Sequence, residues 1–179
     1  MTVQASATRS YTGSEARPAL IAALAVTAIA AATLAGAWFF QLVLEIIPCP
    51  LCLEQRYAYY LAVPLGALTA LLAARGAPRA VVGAGLVVLA LAALANAGLG
   101  TYHAGVEWGF WPGPTECTGP VGNLGSAGDL LARLEKVKVI RCDEVQWRFL
   151  GLSLAGYNVL ISLLMAAVAA LGAAGLRRR

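Results

Sequence analysis

The chain has 179 residues, 60% of them hydrophobic and 12% charged, with a mean hydropathy of +0.74. That composition lies outside the range of soluble globular domains. The net charge of +4 comes largely from arginines beside the apolar runs, so it reads as membrane topology and not as a nucleic-acid-binding surface.

Residues 1–17 (MTVQASATRSYTGSEAR) form a polar tail and are expected to be disordered. Pro18–Leu44 is the first uncharged stretch, much longer than the apolar core of a cleaved signal peptide, and is read as a helix. Residues 45–56 make a short loop holding Pro48-Cys49-Pro50-Leu51-Cys52. Tyr57–Ala74 is the second span, near the short limit for crossing a bilayer, with Pro64 as a potential kink. Ala80–Thr101 is the third, residues 102–148 a long hydrophilic loop, and Phe149–Leu176 the fourth. A membrane-crossing helix needs about 20 apolar residues, and nothing here alternates as a β-barrel strand would. The expected fold is therefore all-α, a single integral membrane four-helix bundle with two loops on one side. Small residues recur at four-residue spacing, Ala28, Ala32 and Gly36 in the first span and Ala166, Ala170 and Ala174 in the last. Such rows let helices approach closely. Asn96 and Asn158 read as hydrogen-bonding residues between helices.

Within the long loop, WGFWPGPTECTGPVGNLG is rich in Gly and Pro, predicting irregular backbone around an exposed Cys117. Ser126 and Asp129 match a capping box, and Leu130, Leu131, Leu134 and Val137 then follow at helical spacing. Arg133, Glu135, Lys136 and Lys138 take the opposite face. This predicts a short amphipathic helix, lying on the membrane surface or packed against the bundle.

Four spans put both termini on one side, together with Arg9, Arg17, Arg75, Arg79 and Arg177 to Arg179. The other side holds six cations but eight of the nine acids. Short segments decide orientation, so the termini are expected to be cytoplasmic and both cysteine loops periplasmic, where disulfides persist. The aromatics also favour the cysteine side: Trp38, Phe39, Phe40, Tyr57, Tyr59, Tyr60, Tyr102, Trp108, Phe110, Trp111, Trp147 and Phe149, leaving Tyr11 and Tyr157 elsewhere. An interfacial belt accounts for such residues, although a belt decorates both interfaces. A flat ring-shaped ligand at the cysteine side is a second reason for the bias.

Two cysteines per loop, all facing one compartment, read as an electron relay rather than a staple. Cys49 and Cys52 stand at a helix entrance, where unpaired N–H groups and the helix dipole favour a thiolate. Arg56, one turn beyond Cys52, is expected to favour a Cys52 thiolate further; alternatively it snorkels to water and the pair is an inert disulfide. Haem attachment is excluded because Leu53, not histidine, follows Cys52. Zinc is disfavoured, since twenty-four residues separate Cys117 from Cys142 where a knuckle needs two to four. From the residues alone, His103 is an interfacial histidine without a special role.

The runs C-P-L-C-L-E-Q-R and R-C-D-E-V-Q-W-R-F-L-G-L, in that order between four spans, resemble the disulfide bond formation protein B (DsbB) family. The resemblance covers the chain from the first span to the last. It implies a bacterial inner-membrane thiol–disulfide oxidoreductase that reoxidises a periplasmic thioredoxin-fold oxidase (DsbA-like). The electrons would pass to ubiquinone or menaquinone. Cys117 would form the mixed disulfide with the partner, Cys142 would be its mate, and Cys49 would exchange with that pair. Cys52 would deliver electrons to the quinone, with Arg56 and His103 beside the ring and no metal involved. Three rivals stay open: a vitamin K epoxide reductase-like quinone reductase, a membrane protein with structural disulfides, and a quinone-binding module without turnover.

Overall fold

The computed structural model describes residues 13–114 and 141–177. Cys117 and the amphipathic helix expected near residues 126–138 lie outside the described residues. Inside lipid a backbone N–H must be bonded within its own segment, so uncharged runs become helices. Four form: α1 (Gly13–Leu42), α2 (Pro50–Ala74), α3 (Arg79–Glu107) and α4 (Leu154–Arg177). All four are long and apolar enough to cross a membrane. α1 and α3 each pack on both α2 and α4, so the helices follow one another around a ring.

The helix limits differ from those read in the sequence, mostly at the cysteine end. α2 starts at Pro50 instead of Tyr57, drawing Cys52, Gln55 and Arg56 into helix. Charge near the end of a span had suggested a loop, but Arg56 is buried and bonded to α1, which removes the penalty. α3 runs on to Glu107, taking in His103. α4 begins at Leu154 rather than Phe149, because Arg148–Phe149 (β1) pairs antiparallel with Leu152–Ser153 (β2). Leu150 and Gly151 between them have φ of 49° and 83°, as a two-residue hairpin turn of the type I′ kind requires. Ser153 Oγ then accepts the Gly156 N–H at 3.2 Å, capping α4. At the other end α1 begins at Gly13, ahead of the expected Pro18.

Away from the cysteines the ring is tightly packed. Ala19, Ala22, Ala23, Val26 and Ala30 of α1 meet Met165, Ala166 and Ala169 of α4, with Leu86 and Leu89 of α3 in the same core. These buried positions step by threes and fours, which follows the 3.6-residue turn. The strict four-residue rows drift off that seam, so Ala28 and Ala170 are exposed, while Ala32 and Gly36 line a cavity between the helices. Gly172 marks a close approach of α4 to α1: a Cβ there would lie 2.5 Å from Ala22 Cβ.

Midway along the ring sits a polar knot. Tyr59 OH donates to Asn158 Oδ1 at 2.5 Å, and Asn96 Nδ2 donates to Asn158 Oδ1 at 3.2 Å and Ser162 Oγ at 3.0 Å. Both asparagines thus bond between helices, as expected from their placement in spans. α2 continues past Pro64 without a break.

Candidate functional site

The cysteine end is built on the first turn of α2. Pro50 occupies a position where its missing N–H costs nothing, and Cys49 is the N-cap. Its sulfur takes the role usually played by a Ser or Asp oxygen, accepting the Cys52 N–H at 3.3 Å. Cys49 and Cys52 are free thiols with Sγ atoms 2.8 Å apart. The bond from Cys52 is the main reason that the Cys49 thiol is lowered to about 5 from 9.0; burial opposes the shift, while His103 and the Cys52 amide add to it. The helix-terminal amide therefore serves Cys49, whereas the sequence had suggested a favoured thiolate at Cys52.

α3 brings His103, 2% exposed, across to this turn. Its Nε2 lies 3.6 Å from Cys49 Sγ, and its Nδ1 lies 2.8 Å from Gln55 Nε2. Glu107, one turn further along α3, places Oε1 4.0 Å from His103 Nε2. The Ser153 hydroxyl donates to the other Glu107 oxygen, tying α3 to the cap of α4. Cys142 arrives from the long loop, 1% exposed and disulfide-bonded. The Cys49 sulfur, the Cys142 sulfur and a His103 ring nitrogen all lie within 4.8 Å of one another. Leu51 and Val106 complete this small buried cluster.

Arg56 turns away from the sulfurs. It donates to Gln41 Oε1 at 2.7 Å and to Ala37 O at 3.4 Å, and its guanidinium sits 5.5 Å from the centre of the Trp38 ring. Both hydrogen bonds run to α1, so Arg56 does not pair with Cys52 as its spacing had suggested. It still shares a cavity with it. This space of about 630 Å³ is bounded by Cys49, Cys52, Arg56 and His103 at its polar end and walled by apolar residues such as Ile29 and Ile161. That size and character suit an organic ligand.

The aromatic bias divides into two groups. Phe40 and Trp147 meet at 5.0 Å, Trp147 stacks on Phe149 at 6.0 Å, and Tyr157 lies 6.5 Å from Trp147; all four border the cavity. Tyr157 belongs to this rim, although its place in the last span had set it apart. Trp108, Phe110 and Tyr57 are exposed away from the cavity, as belt residues are.

Among the sequence-derived site residues, the structure brings Cys49, Cys52, His103 and Cys142 together and sets Arg56 on the shared cavity; Cys117 lies outside the described residues. Gln55, Glu107, Ser153 and Gln41 had been given no role. Glu107 could have been found, being an acid one helical turn from the only histidine at the end of an apolar run. Gln55 sits in the motif itself, yet nothing in the sequence shows that it faces His103, and Gln41 carries no signal at all.

Residues 19–172 match the family described as disulfide bond formation protein DsbB. The disulfide bond formation protein B of Verminephrobacter eiseniae is 33% identical over 164 residues, covering 83% of this chain and 84% of that protein. Its counterpart from an Azoarcus species is 34% identical over 141 residues, covering 76% and 81%. No solved structure matches the chain. With this match across its span-bearing length and four membrane-crossing helices, the chain belongs to the DsbB family of membrane disulfide bond formation proteins.

Proposed function

We propose that this protein reoxidises a periplasmic thioredoxin-fold oxidase of the DsbA type and passes the electrons to a quinone of the bacterial inner membrane, ubiquinone or menaquinone. Both termini are cytoplasmic in this reading, and both cysteine loops are periplasmic. One observation carries it: two free thiols lie beside a third, disulfide-bonded cysteine, with the Cys49 and Cys142 sulfurs within 4.8 Å. A brace has no use for free thiols against a bridged sulfur; an exchange relay requires that contact.

In the proposed cycle a partner thiolate attacks the Cys117–Cys142 bond, forming a mixed disulfide through Cys117 and releasing the Cys142 thiolate. Cys142 then attacks Cys49 in the Cys49–Cys52 disulfide, and Cys52 leaves as a thiolate facing the cavity. Resolution of the mixed disulfide by the partner's second thiol releases the oxidised partner and leaves a Cys117 thiol. Cys117 attacks Cys142 in the Cys49–Cys142 bond, regenerating the loop disulfide and freeing Cys49. Once Cys52 has taken up a proton, its hydrogen bond to the Cys49 sulfur lowers the Cys49 pKa and makes Cys49 a good leaving group in that step. The Cys49–Cys52 dithiol that results is then closed again by oxidation.

The residues present suit a quinone. The apolar walls would accept a flat ring with an isoprenoid tail, and Cys52, Arg56 and His103 border the same cavity and would hold the ring. Arg56 has five N–H groups, so its two hydrogen bonds to α1 fix its position and leave donors for an oxygen. A quinone held there would supply the two-electron, two-proton acceptor that closing the Cys49–Cys52 disulfide needs.

The test combines purified protein, a reduced thioredoxin-fold substrate and a quinone, following thiols and quinol together. Thiol loss and quinol formation are expected in a 2:1 ratio. Cys117→Ser should stop partner oxidation, and Cys52→Ser should stop quinone reduction. Wild-type turnover by a Cys49→Ser/Cys52→Ser double variant would falsify the reading.

A further inference from the structure

We propose that the fully reduced chain binds one thiophilic divalent cation, Zn²⁺ or Cd²⁺, through Cys49, Cys52, Cys142 and His103. The metal would act as an inhibitor of the reduced state and not as a resident cofactor. Cys49 and Cys52 have the C-x-x-C spacing that supplies half of a structural zinc site. The sequence argued against zinc because Cys117 and Cys142 are too far apart to make the other half. The fold supplies that half differently, with one cysteine from the long loop and one histidine from α3.

The geometry is already close to a coordination shell. Zinc–sulfur bonds of about 2.3 Å and zinc–nitrogen bonds of about 2.0–2.1 Å put tetrahedral ligand atoms roughly 3.5–3.8 Å apart. Cys49 Sγ and His103 Nε2 stand 3.6 Å apart, and the Cys142 sulfur is within 4.8 Å of both cluster partners. Cys52 Sγ lies 2.8 Å from Cys49 Sγ but outside the three-residue cluster, and swings toward it to supply the fourth ligand. The three clustered residues are each 2% exposed or less, so the ion would be shielded from water.

Support behind the ligands is present as well. A ligating histidine generally uses its other ring N–H on an acceptor that fixes its orientation. Gln55 occupies that position, its amide 2.8 Å from Nδ1 and able to offer its oxygen after a 180° flip. Cys142 is disulfide-bonded in the present state, so the site is complete only once that bond is reduced. Three thiolates and an imidazole then make a Cys₃His set, which structural zinc sites use. Metal binding would displace the thiol protons and hold the sulfurs away from one another, blocking exchange. Only the inhibitory consequence rests on the relay proposed above; the binding does not.

The experiment is a metal titration without turnover. Protein in detergent is reduced with a phosphine, freed of reductant under anaerobic conditions, and titrated with Cd²⁺, read by thiolate-to-metal absorption. Zn²⁺ is titrated against a chromophoric chelator. One ion per chain is expected. The unreduced protein, carrying its loop disulfide, should bind at least about tenfold more weakly, as should Cys142→Ser and His103→Ala, and Gln55→Leu should lose about tenfold. Cys117→Ser should bind like the reduced wild type. Because the oxidised and reduced forms share one sequence, their comparison does not depend on a variant folding. The proposal is overturned if the reduced protein binds neither metal stoichiometrically, if oxidised and reduced forms bind equally, or if Cys142→Ser changes nothing. Intact binding with no quinone reduction would uphold the site and count against the relay alone.

Discussion

The two ends of the bundle are built on opposite principles. At the end away from the cysteines, alanine and glycine bring helices into contact, with Ala19, Ala23, Val26, Leu86 and Ala169 wholly or almost wholly buried. At the cysteine end the same four helices enclose about 630 Å³ of space, bordered by a buried arginine and a buried histidine. Lipid gives little hydrophobic drive for helices to associate, so close packing at one end must hold the ring together. That leaves the other end free to carry poorly packed, polar, reactive groups. Gly36 and Gly172 express the contrast within one residue type: a Cβ on Gly36 meets nothing within 4 Å, while one on Gly172 runs into Ala22.

The largest expected effect is at the hollow end. Cys52→Ser should abolish quinone-linked thiol loss while leaving the thermal midpoint in detergent near that of wild type; retained turnover would break the division of labour. At the packed end, Leu86→Ala should cost about 2–5 kcal/mol, read as a lowered unfolding midpoint. Gly172→Ala should cost about 1–3 kcal/mol through overpacking. Gly36→Ala should instead be neutral or stabilising by up to about 1 kcal/mol, from helix propensity alone. Equal responses at the two glycines would mean that the hollow end is as tightly closed as the packed one. The smallest effect is a factor of two. With its pKa lowered to about 5, Cys49 should be mostly thiolate at pH 7 and half so near pH 5, read by mass-spectrometric quantitation of a small alkylating reagent. The sign follows from the depressed value: any stability this thiolate contributes is complete above its ordinary pKa near 9.0 and is lost as pH falls through about 5. A reactivity midpoint near 9 would place the favoured thiolate elsewhere.

Much of this was legible in the chain itself. Long uncharged runs cannot be satisfied in lipid except as helices, so four spans followed from segment length and hydropathy. The cysteine motifs fell between those spans, and their positions could be read directly. Limits were misplaced where polar residues are buried in helix, as at Gln55, Arg56, His103 and Glu107, because hydropathy counts a paired polar side chain as if it faced water. The four-residue rows of small residues are only partly inward, with Ala166 in the core but Ala28 and Ala170 exposed, because spacing shows that a face is small, not which way it looks.

The linear order of residues therefore determined that this is a membrane bundle with sulfur-bearing loops, since crossing a bilayer constrains each segment separately. Only the tertiary structure decided that His103 bridges Cys49 and Gln55 and that Arg56 is tied to α1. Those contacts join groups 54, 48 and 15 residues apart in sequence. Their distances depend on how whole helices seat against one another, which no local pattern encodes.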